Sequence, residues 1–374
     1  MSKDAIVTGG HNLPQAPRVL KMIFLMIPLV LPLGFALDLY LPSIPSMVKA
    51  LDSTPLEIQL TLTLFMYCFG FGQLIVGPIT DKFGRICVLK ASWVCFIAGS
   101  ALCTFSQSLI ALLIGRALQA FGACGTQVVA FALVRDQYDG KSATLIYTTL
   151  KGAMAIAPIG APILGAFLQV NFGWQANFAV LSLYGISALV LCTFALKESP
   201  GFLRQTASLN WSTYLNPYLT ILSCREFLYF AICGLATQAA MFGYFSLSPQ
   251  YFVKLHGLTE LEFANLFSIN AFIFLLTSLI GGKFVYKLGF KKCTLLGAAL
   301  LFFSGSLMLM GDHHFNHPYV LFLPNLIASS AASMMLGAAA SGAMMPFKQN
   351  AGSAAALFGC FEFIGGASIG QCAI

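Results

Sequence analysis

Charge is what this chain lacks most. Charged side chains make up only 9% of its 374 residues, while hydrophobic residues make up 58%. A soluble globular domain carries about 25% charged residues. So little charge cannot clothe a water-facing surface, and lipid must be the solvent for most of the chain. Backbone groups in hydrocarbon have to satisfy one another, which leaves helices or a closed barrel. Barrel strands alternate over about 10 residues. Here the apolar runs are continuous over roughly 20, the length of a spanning helix.

Other absences exclude other chemistries. No Gly-Lys-Ser/Thr phosphate loop is present, which argues against ATP as an energy source. No nucleophile–base or metal-type constellation is visible, which argues against an enzyme and implies no cofactor. No basic cluster stands beside a soluble fold, so nucleic acid is not an expected partner. The 11 cysteines, Cys68, Cys95, Cys103, Cys192 and Cys233 among them, lie mostly inside apolar runs without paired or metal spacing. They read as small core residues. His313, His314 and His317 read as a short polar loop rather than a metal site. The first apolar run lacks a small-residue cleavage site and reads as a retained helix.

What is present is eleven apolar runs, at about 20–41, 58–79, 88–107, 109–134, 144–168, 176–196, 226–249, 261–285, 293–311, 318–345 and 351–374. The expected organisation is a six-helix bundle over 1–196, a central loop over 197–225, and a five-helix bundle over 226–374. If the N-terminus is cytoplasmic, the inner loops carry fifteen Lys and Arg, and the outer loops only Lys49 and Lys254. That bias fixes the orientation by the positive-inside rule. Arg116, Lys151 and Lys283 fall inside predicted spans.

A short interruption occurs twice. The first copy is Gly77-Pro78-Ile79-Thr80-Asp81-Lys82-Phe83-Gly84-Arg85. The second, 205 positions later from 77 to 282, is Gly282-Lys283-Phe284-Val285-Tyr286-Lys287-Leu288-Gly289-Phe290. A repeat of that period in two hydrophobic halves points to a duplicated membrane protein. Because the second half holds five runs and the chain stops at Ile374, a twelfth helix is expected to be missing.

The first copy resembles the signature of the major facilitator superfamily between helices 2 and 3: Gly, three residues, an acid, a base, any residue, Gly and Arg. Leu37-Asp38-Leu39-Tyr40-Leu41-Pro42-Ser43-Ile44-Pro45 resembles the end of helix 1 in drug–proton antiporters of the Bcr/CflA type. Leu113-Ile114-Gly115-Arg116-Ala117-Leu118-Gln119-Ala120-Phe121-Gly122 is similar to the superfamily's helix 4 motif. Ala157-Pro158-Ile159-Gly160-Ala161-Pro162-Ile163-Leu164-Gly165 is similar to the helix 5 motif of antiporters. The resemblance implies an all-α major facilitator fold in a bacterial inner membrane, with the proton gradient as energy source and a small-molecule substrate. A monomer is expected.

These motifs give the candidate residues. Gly77 and Gly84 permit close approach and turning, and Asp81, Lys82, Arg85 and Asp136 can form a charge cluster. The resemblance implies that this cluster latches the two halves; solvated topology charges are the other reading. Asp38 is the only carboxylate in the first run. An acid within a span usually faces a cavity or a partner and marks a proton relay. The resemblance makes it a proton carrier, and an interfacial cap is the alternative. Arg116 lies about seven residues into its run, too deep to snorkel easily. Either it tunes a carboxylate or holds a substrate oxygen, with Gln119 on the same face, or it clamps backbone carbonyls. Pro158 and Pro162, with Gly160 and Gly165, should bend their helix and let it pack closely. Glu362 is a second intramembrane acid, either a proton site or one of a local pair. Some family members carry a second acid in helix 1 where this chain has Val30, and that weakens the expectation of cationic drugs. Lys151 can snorkel. Phe65, Tyr67, Phe69, Tyr244 and Phe245 line a drug cavity or simply pack. The function expected is proton-coupled efflux of apolar drug-like molecules. Its rivals are proton-coupled import on the same fold and a shortened, inactive chain.

Overall fold

A computed structural model of the chain describes residues 16–138, 140–196, 198, 211–314, 317–347 and 350–372. Lys3, Lys197, Arg204 and Lys348 lie outside them, as do the side chains of His313 and His314. The described structure is helical, with eleven spans long and apolar enough to cross a membrane. In chain order they are Arg18–Ala50, Pro55–Phe83, Arg85–Thr104, Leu109–Gln137, Leu145–Phe172 and Gln175–Ala195 in the first half. Arg225–Leu255, Glu260–Leu288, Phe290–Gly311, Tyr319–Met344 and Gly352–Gln371 make the second. The expected runs are all there, extended at most ends by a few residues. One face of the molecule carries Lys82, Arg85, Lys90, Arg135, Lys287 and Lys291, and is called the basic face; the opposite, distal face carries Lys49 and Lys254.

The duplication is legible in single caps. Thr54 opens span 2 with a capping box, its hydroxyl accepting from the Glu57 N–H while Glu57 accepts from the Thr54 N–H. Thr259 and Glu262 repeat the box at span 8, 205 positions on. Both spans are 29 residues long, and both end on a glycine with positive φ, Gly84 at +96° and Gly289 at +78°. A side chain is strained there, so glycine ends the helix and turns the chain into the next span.

Three spans are irregular. Span 1 breaks at Leu31, ahead of Pro32, and again at a 3₁₀ turn, Leu41–Ser43, that contains Pro42. Span 7 ends in a π-turn, Gln250–Leu255, just after Pro249. Span 11 contains a π-turn at Phe361–Gly365. The connection expected as a loop over 197–225 is partly helical: Trp211–Leu222 forms a helix, with Ile221 fully buried and the Tyr218 hydroxyl donating to the Leu74 carbonyl at 3.4 Å. Leu215, Tyr218, Ile221 and Leu222 give that stretch an apolar stripe at helical spacing, masked in the sequence by polar neighbours.

The halves meet at the distal face. Tyr40, Leu41, Phe252, Phe263 and Phe267 lie buried in one apolar core shared by the ends of spans 1, 7 and 8. One face of span 2 crosses the divide at every turn. The Gln59 amide donates to the Ser246 carbonyl at 3.0 Å, Thr63 donates to Gln371 Oε1 at 2.6 Å, and the Tyr67 and Ser368 hydroxyls bond at 2.9 Å. Their i, i+4, i+8 spacing puts all three on one stripe.

Candidate functional site

Asp38 closes the helical piece Pro32–Asp38 of span 1 and is 2% exposed. One turn earlier, a Cβ on Gly34 would stand 2.7 Å from the Ala157 Cβ and 3.8 Å from Asp38 Oδ2. Gly34 and Asp38 therefore share the face that meets span 5. The next residue, Leu39, rests its carbonyl against Gly165, where any side chain would overlap it. The helix 5 motif thus lies along the end of span 1, from Ala157 to Gly165. Pro158 and Pro162 sit inside a continuous helix, Gly140–Phe172. Because Pro158 has no N–H, the Met154 carbonyl loses its helical donor, and that carbonyl lies on the Gly34 side. The close approach expected of the motif's glycines holds at Gly165 but not at Gly160, which has nothing within 4 Å of its would-be Cβ; Ala157 makes the second contact. Asp38 Oδ1 is buried with no hydrogen-bond partner. An orphaned polar atom in such a place costs about 1–3 kcal/mol, which calls for a functional reason.

Arg116 is fully buried in span 4. Its Nη1 donates to the Ala36 carbonyl at 2.8 Å and to Gln119 Oε1 at 2.5 Å, and its Nε donates to the Thr61 carbonyl at 3.5 Å. The guanidinium lies 4.6 Å from the Tyr40 ring and 4.4 Å from the Phe65 ring. Gln119 continues the chain of bonds by donating to Ser100 at 2.8 Å. The Tyr40 hydroxyl bonds Thr61 at 2.9 Å, and Thr61 in turn donates to the Ile58 carbonyl. This is the carbonyl-clamp geometry. Arg116 and Gln119 stand together, but among the described residues no ion pair joins Arg116 to Asp38. Their link is the backbone from 36 to 40, which Arg116 grips at Ala36 and Tyr40. Nη2 of Arg116 is a second buried orphan. The arrangement fixes a buried cation on the backbone just ahead of Asp38, whose Oδ1 has no partner among the described residues.

At the basic face the expected charge cluster is assembled. Arg85 pairs with Asp81 at 2.7 Å and with Asp136 at 3.0 Å, and donates to Thr80 at 2.5 Å. Lys82 stays outside it, 5.4 Å over the Phe83 ring. Sequence reasoning missed Glu198, whose two carboxylate oxygens accept from the N–H groups of Arg85 and Ile86 at 2.8 and 3.1 Å. A carboxylate there satisfies orphan donors and the positive end of the helix dipole. The available signal was an acid just past span 6 on the same face as a helix start without a side-chain cap. Gly77 makes no close approach: nothing lies within 4 Å of its would-be Cβ. The Arg85 pairs tie spans 2, 3 and 4 to one another, all within the first half.

Among the remaining candidates, Phe65 and Phe69 are fully buried and Tyr244 stacks on Phe267, so they pack. Phe245 also packs on Phe267, while Tyr67 belongs to the span 2 stripe. His317 stacks on Tyr319. The ten cysteines whose side chains are described are free thiols. Glu362 stands half-buried in the π-turn of span 11, with Lys151 of span 5 as the cation acting on it.

The sequence profile of the family described as Major Facilitator Superfamily matches residues 26–370. A chloramphenicol resistance protein of Pseudomonas aeruginosa is 31% identical over 357 residues, covering 93% of this chain and 82% of that one. A bicyclomycin resistance protein homolog of Haemophilus influenzae is 27% identical, covering 90% and 84%. Multidrug resistance protein MdtL of Escherichia coli is likewise 27% identical, covering 90% and 84%. Among solved structures, a D-xylose–proton symporter superposes with a TM-score of 0.77 at 14% identity, covering 94% of this chain and 89% of that one. An inward-facing, unoccupied bacterial homolog of the lysosomal transporter Spinster superposes with a TM-score of 0.75 at 15% identity, covering 96% and 82%. At such identities the structures speak for the fold alone.

Proposed function

The chain belongs to the major facilitator superfamily, and from that premise we propose that it exports small, largely apolar drug-like molecules from a bacterium in exchange for protons. The observation that carries the reading is Asp38, a carboxyl buried in a membrane span with one oxygen unsatisfied, against the glycine–proline stretch of span 5. In the outward-facing state a proton entering from outside neutralises Asp38, and in the inward-facing state it leaves. Substrate and proton compete, so proton entry expels substrate. Arg116 and Gln119 serve as the rigid post against which the Asp38 segment moves: they hold Ala36 and stack on Tyr40, so a change at Asp38 is transmitted along 36–40. Opening the distal face requires breaking the bonds of Gln59, Thr63 and Tyr67 to the second half. The cluster of Arg85, Asp81 and Asp136 stiffens the basic face through the cycle.

The reading places the protein in the inner membrane with its N-terminus in the cytoplasm, working as a monomer without a cofactor. Drug-resistance names among the relatives make chloramphenicol the first probe. In everted vesicles from an efflux-deficient bacterium, acidifying the lumen should drive chloramphenicol inward, and a protonophore should abolish it. Loss of chloramphenicol from the vesicles along the proton gradient refutes exchange and leaves import on the same fold.

A further inference from the structure

The two copies of the repeated turn differ in how their charge is balanced. In the first, Arg85 pairs with Asp81 and Asp136, and Glu198 accepts from the N–H groups that open span 3. In the second, Tyr286 and Phe290 stand where the first copy has Asp81 and Arg85, and lysines accumulate instead. Lys283, Lys287, Lys291 and Lys292 all fall between 283 and 292, and all four are exposed. Glu226, at the start of span 7, reaches Lys291 at 3.7 Å. Among the described residues, Lys283, Lys287 and Lys292 form no ion pair.

These lysines line two hollows at the basic face. One, of about 330 Å³, lies among the start of span 7, the start of span 9 and the residue just past span 10, and is lined by Glu226, Phe230, Gly289, Lys291, Lys292 and Met345. The other, of about 430 Å³, runs along the last turns of span 8 and is lined by Ile280, Lys283, Phe284, Tyr286 and Lys287. Both are large enough for a small ligand. Each joins ammonium groups to apolar side chains at the end of a membrane span. Lys283 and Lys287 are one turn apart on one side of span 8, and Lys283, within the span, reaches the surface along its stem. Tyr286 is almost fully exposed at the end of the span, where aromatic rings mark the headgroup level. Leu279 and Leu295, both exposed on spans 8 and 9, make hydrocarbon the neighbour on this side.

We propose that this end of the second half binds one anionic phospholipid, its phosphate on Lys291 and Lys292 and its acyl chains along the apolar side of span 8. Basic pockets between spans hold anionic headgroups in this way. Three unpaired ammonium groups attract a headgroup of net negative charge and repel the cationic end of a zwitterionic one. The phosphate does for spans 7, 8, 9 and 10 what the Arg85 cluster does for spans 2, 3 and 4: it draws their basic ends together. The proposal rests on residence in a membrane and not on the export reading.

The test is native mass spectrometry of the purified full chain in detergent, with phosphatidylglycerol and phosphatidylcholine of the same acyl chains offered together, and thermal unfolding with each alone. Phosphatidylglycerol should be retained about tenfold or more over phosphatidylcholine, and it alone should raise the melting temperature. Lys291→Gln with Lys292→Gln should cut that preference about tenfold. Glu226→Gln, which removes the acid of the hollow and frees Lys291, should increase it. Lys49→Gln with Lys254→Gln on the distal face, and Lys82→Gln with Lys90→Gln beside the first copy, should leave it unchanged. Size-exclusion elution identifies a misfolded variant; should the change at 291 and 292 be one, Lys283→Gln with Lys287→Gln and Glu226→Gln decide, with weaker and stronger retention expected. Equal retention of the two lipids by the unmodified chain overturns the proposal. So does an equal loss in the control pairs, which would make the attraction one of diffuse surface charge. Displacement of phosphatidylglycerol by an equal concentration of glycerol 3-phosphate or inorganic phosphate also overturns it, because a soluble anion would then be the occupant.

Discussion

Replacing Asp38 by asparagine separates chemistry from structure more cleanly than any other single change. Asparagine has the shape of a protonated aspartate but can neither release the proton nor carry the charge. Oδ1 of Asp38 has no partner to lose, so the change in folding free energy should stay within about 1 kcal/mol. Membrane levels and melting temperature should therefore match the parent. Transport should not. One carboxyl loaded once per cycle couples one proton to one substrate. Across about 100 mV a unit charge releases about 2.3 kcal/mol, which sustains a concentration ratio of about 50 for a neutral substrate, and each pH unit multiplies it about tenfold. The parent should thus concentrate chloramphenicol in everted vesicles toward that ratio, while Asp38→Asn should bring it only to equality. Counterflow, which needs no net proton movement, should survive in the variant. Measured with labelled chloramphenicol under imposed gradients, a normal accumulation ratio in Asp38→Asn removes this carboxyl from coupling. Loss of both accumulation and counterflow would instead assign Asp38 to substrate binding.

Within the span 5 motif the two glycines should part company. Gly165→Ala drives a methyl into the Leu39 carbonyl and should cost about 1–3 kcal/mol as overpacking, whereas Gly160→Ala meets open space and should stay within about 0.5 kcal/mol; equal melting temperatures for the two would contradict the packing of spans 1 and 5. Arg85→Ala removes the group shared by Asp81 and Asp136 and should lower stability by about 2 kcal/mol, with Arg85→Lys recovering only part because a single ammonium cannot fork to both acids. A fully stable Arg85→Ala protein would show the cluster to be idle. Glu198→Ala exposes the start of span 3 without its cap, and a loss of about 1 kcal/mol is expected in thermal unfolding; no change would mean that solvent serves those N–H groups equally well. Thr63→Val deletes one of the three bonds by which span 2 holds the second half, and should raise the rate at which a cysteine-reactive reagent modifies Cys68 on the same span, with an unchanged rate as the contrary result.

The eleven spans, the six-and-five division and the turn glycines Gly84 and Gly289 were open to reading from one dimension. Hydrocarbon leaves the backbone few choices, and length, apolarity and glycine therefore determine helices almost alone. The charge cluster at the basic face was legible for a similar reason: Asp81 and Arg85 are one turn apart, and Asp136 ends a span on the same face. Depth was legible as well, since Asp38, Arg116 and Glu362 could be placed inside runs by counting. What each of them touches was not. For Arg116 the sequence left open a carboxylate to tune, a substrate oxygen to hold or carbonyls to clamp, and only the packing of spans 1, 2 and 4 shows it clamped on the Ala36 and Thr61 carbonyls between two rings. Gly160 and Gly165 look alike in the motif, yet one faces open space and the other a backbone. The stripe of Gln59, Thr63 and Tyr67 has helical spacing, but nothing in the sequence says that its partners lie 187 to 308 residues away. The connection after span 6 looked like loop because its apolar stripe becomes favourable only against the neighbouring helices. Sequence by itself determined which segments are long and apolar enough to cross a membrane and which charged groups lie within them, because solvent and hydrogen-bonding rules act locally. Tertiary structure alone decided which of those groups meet, because contact depends on the rotation of each helix about its axis, and packing against distant spans sets that rotation.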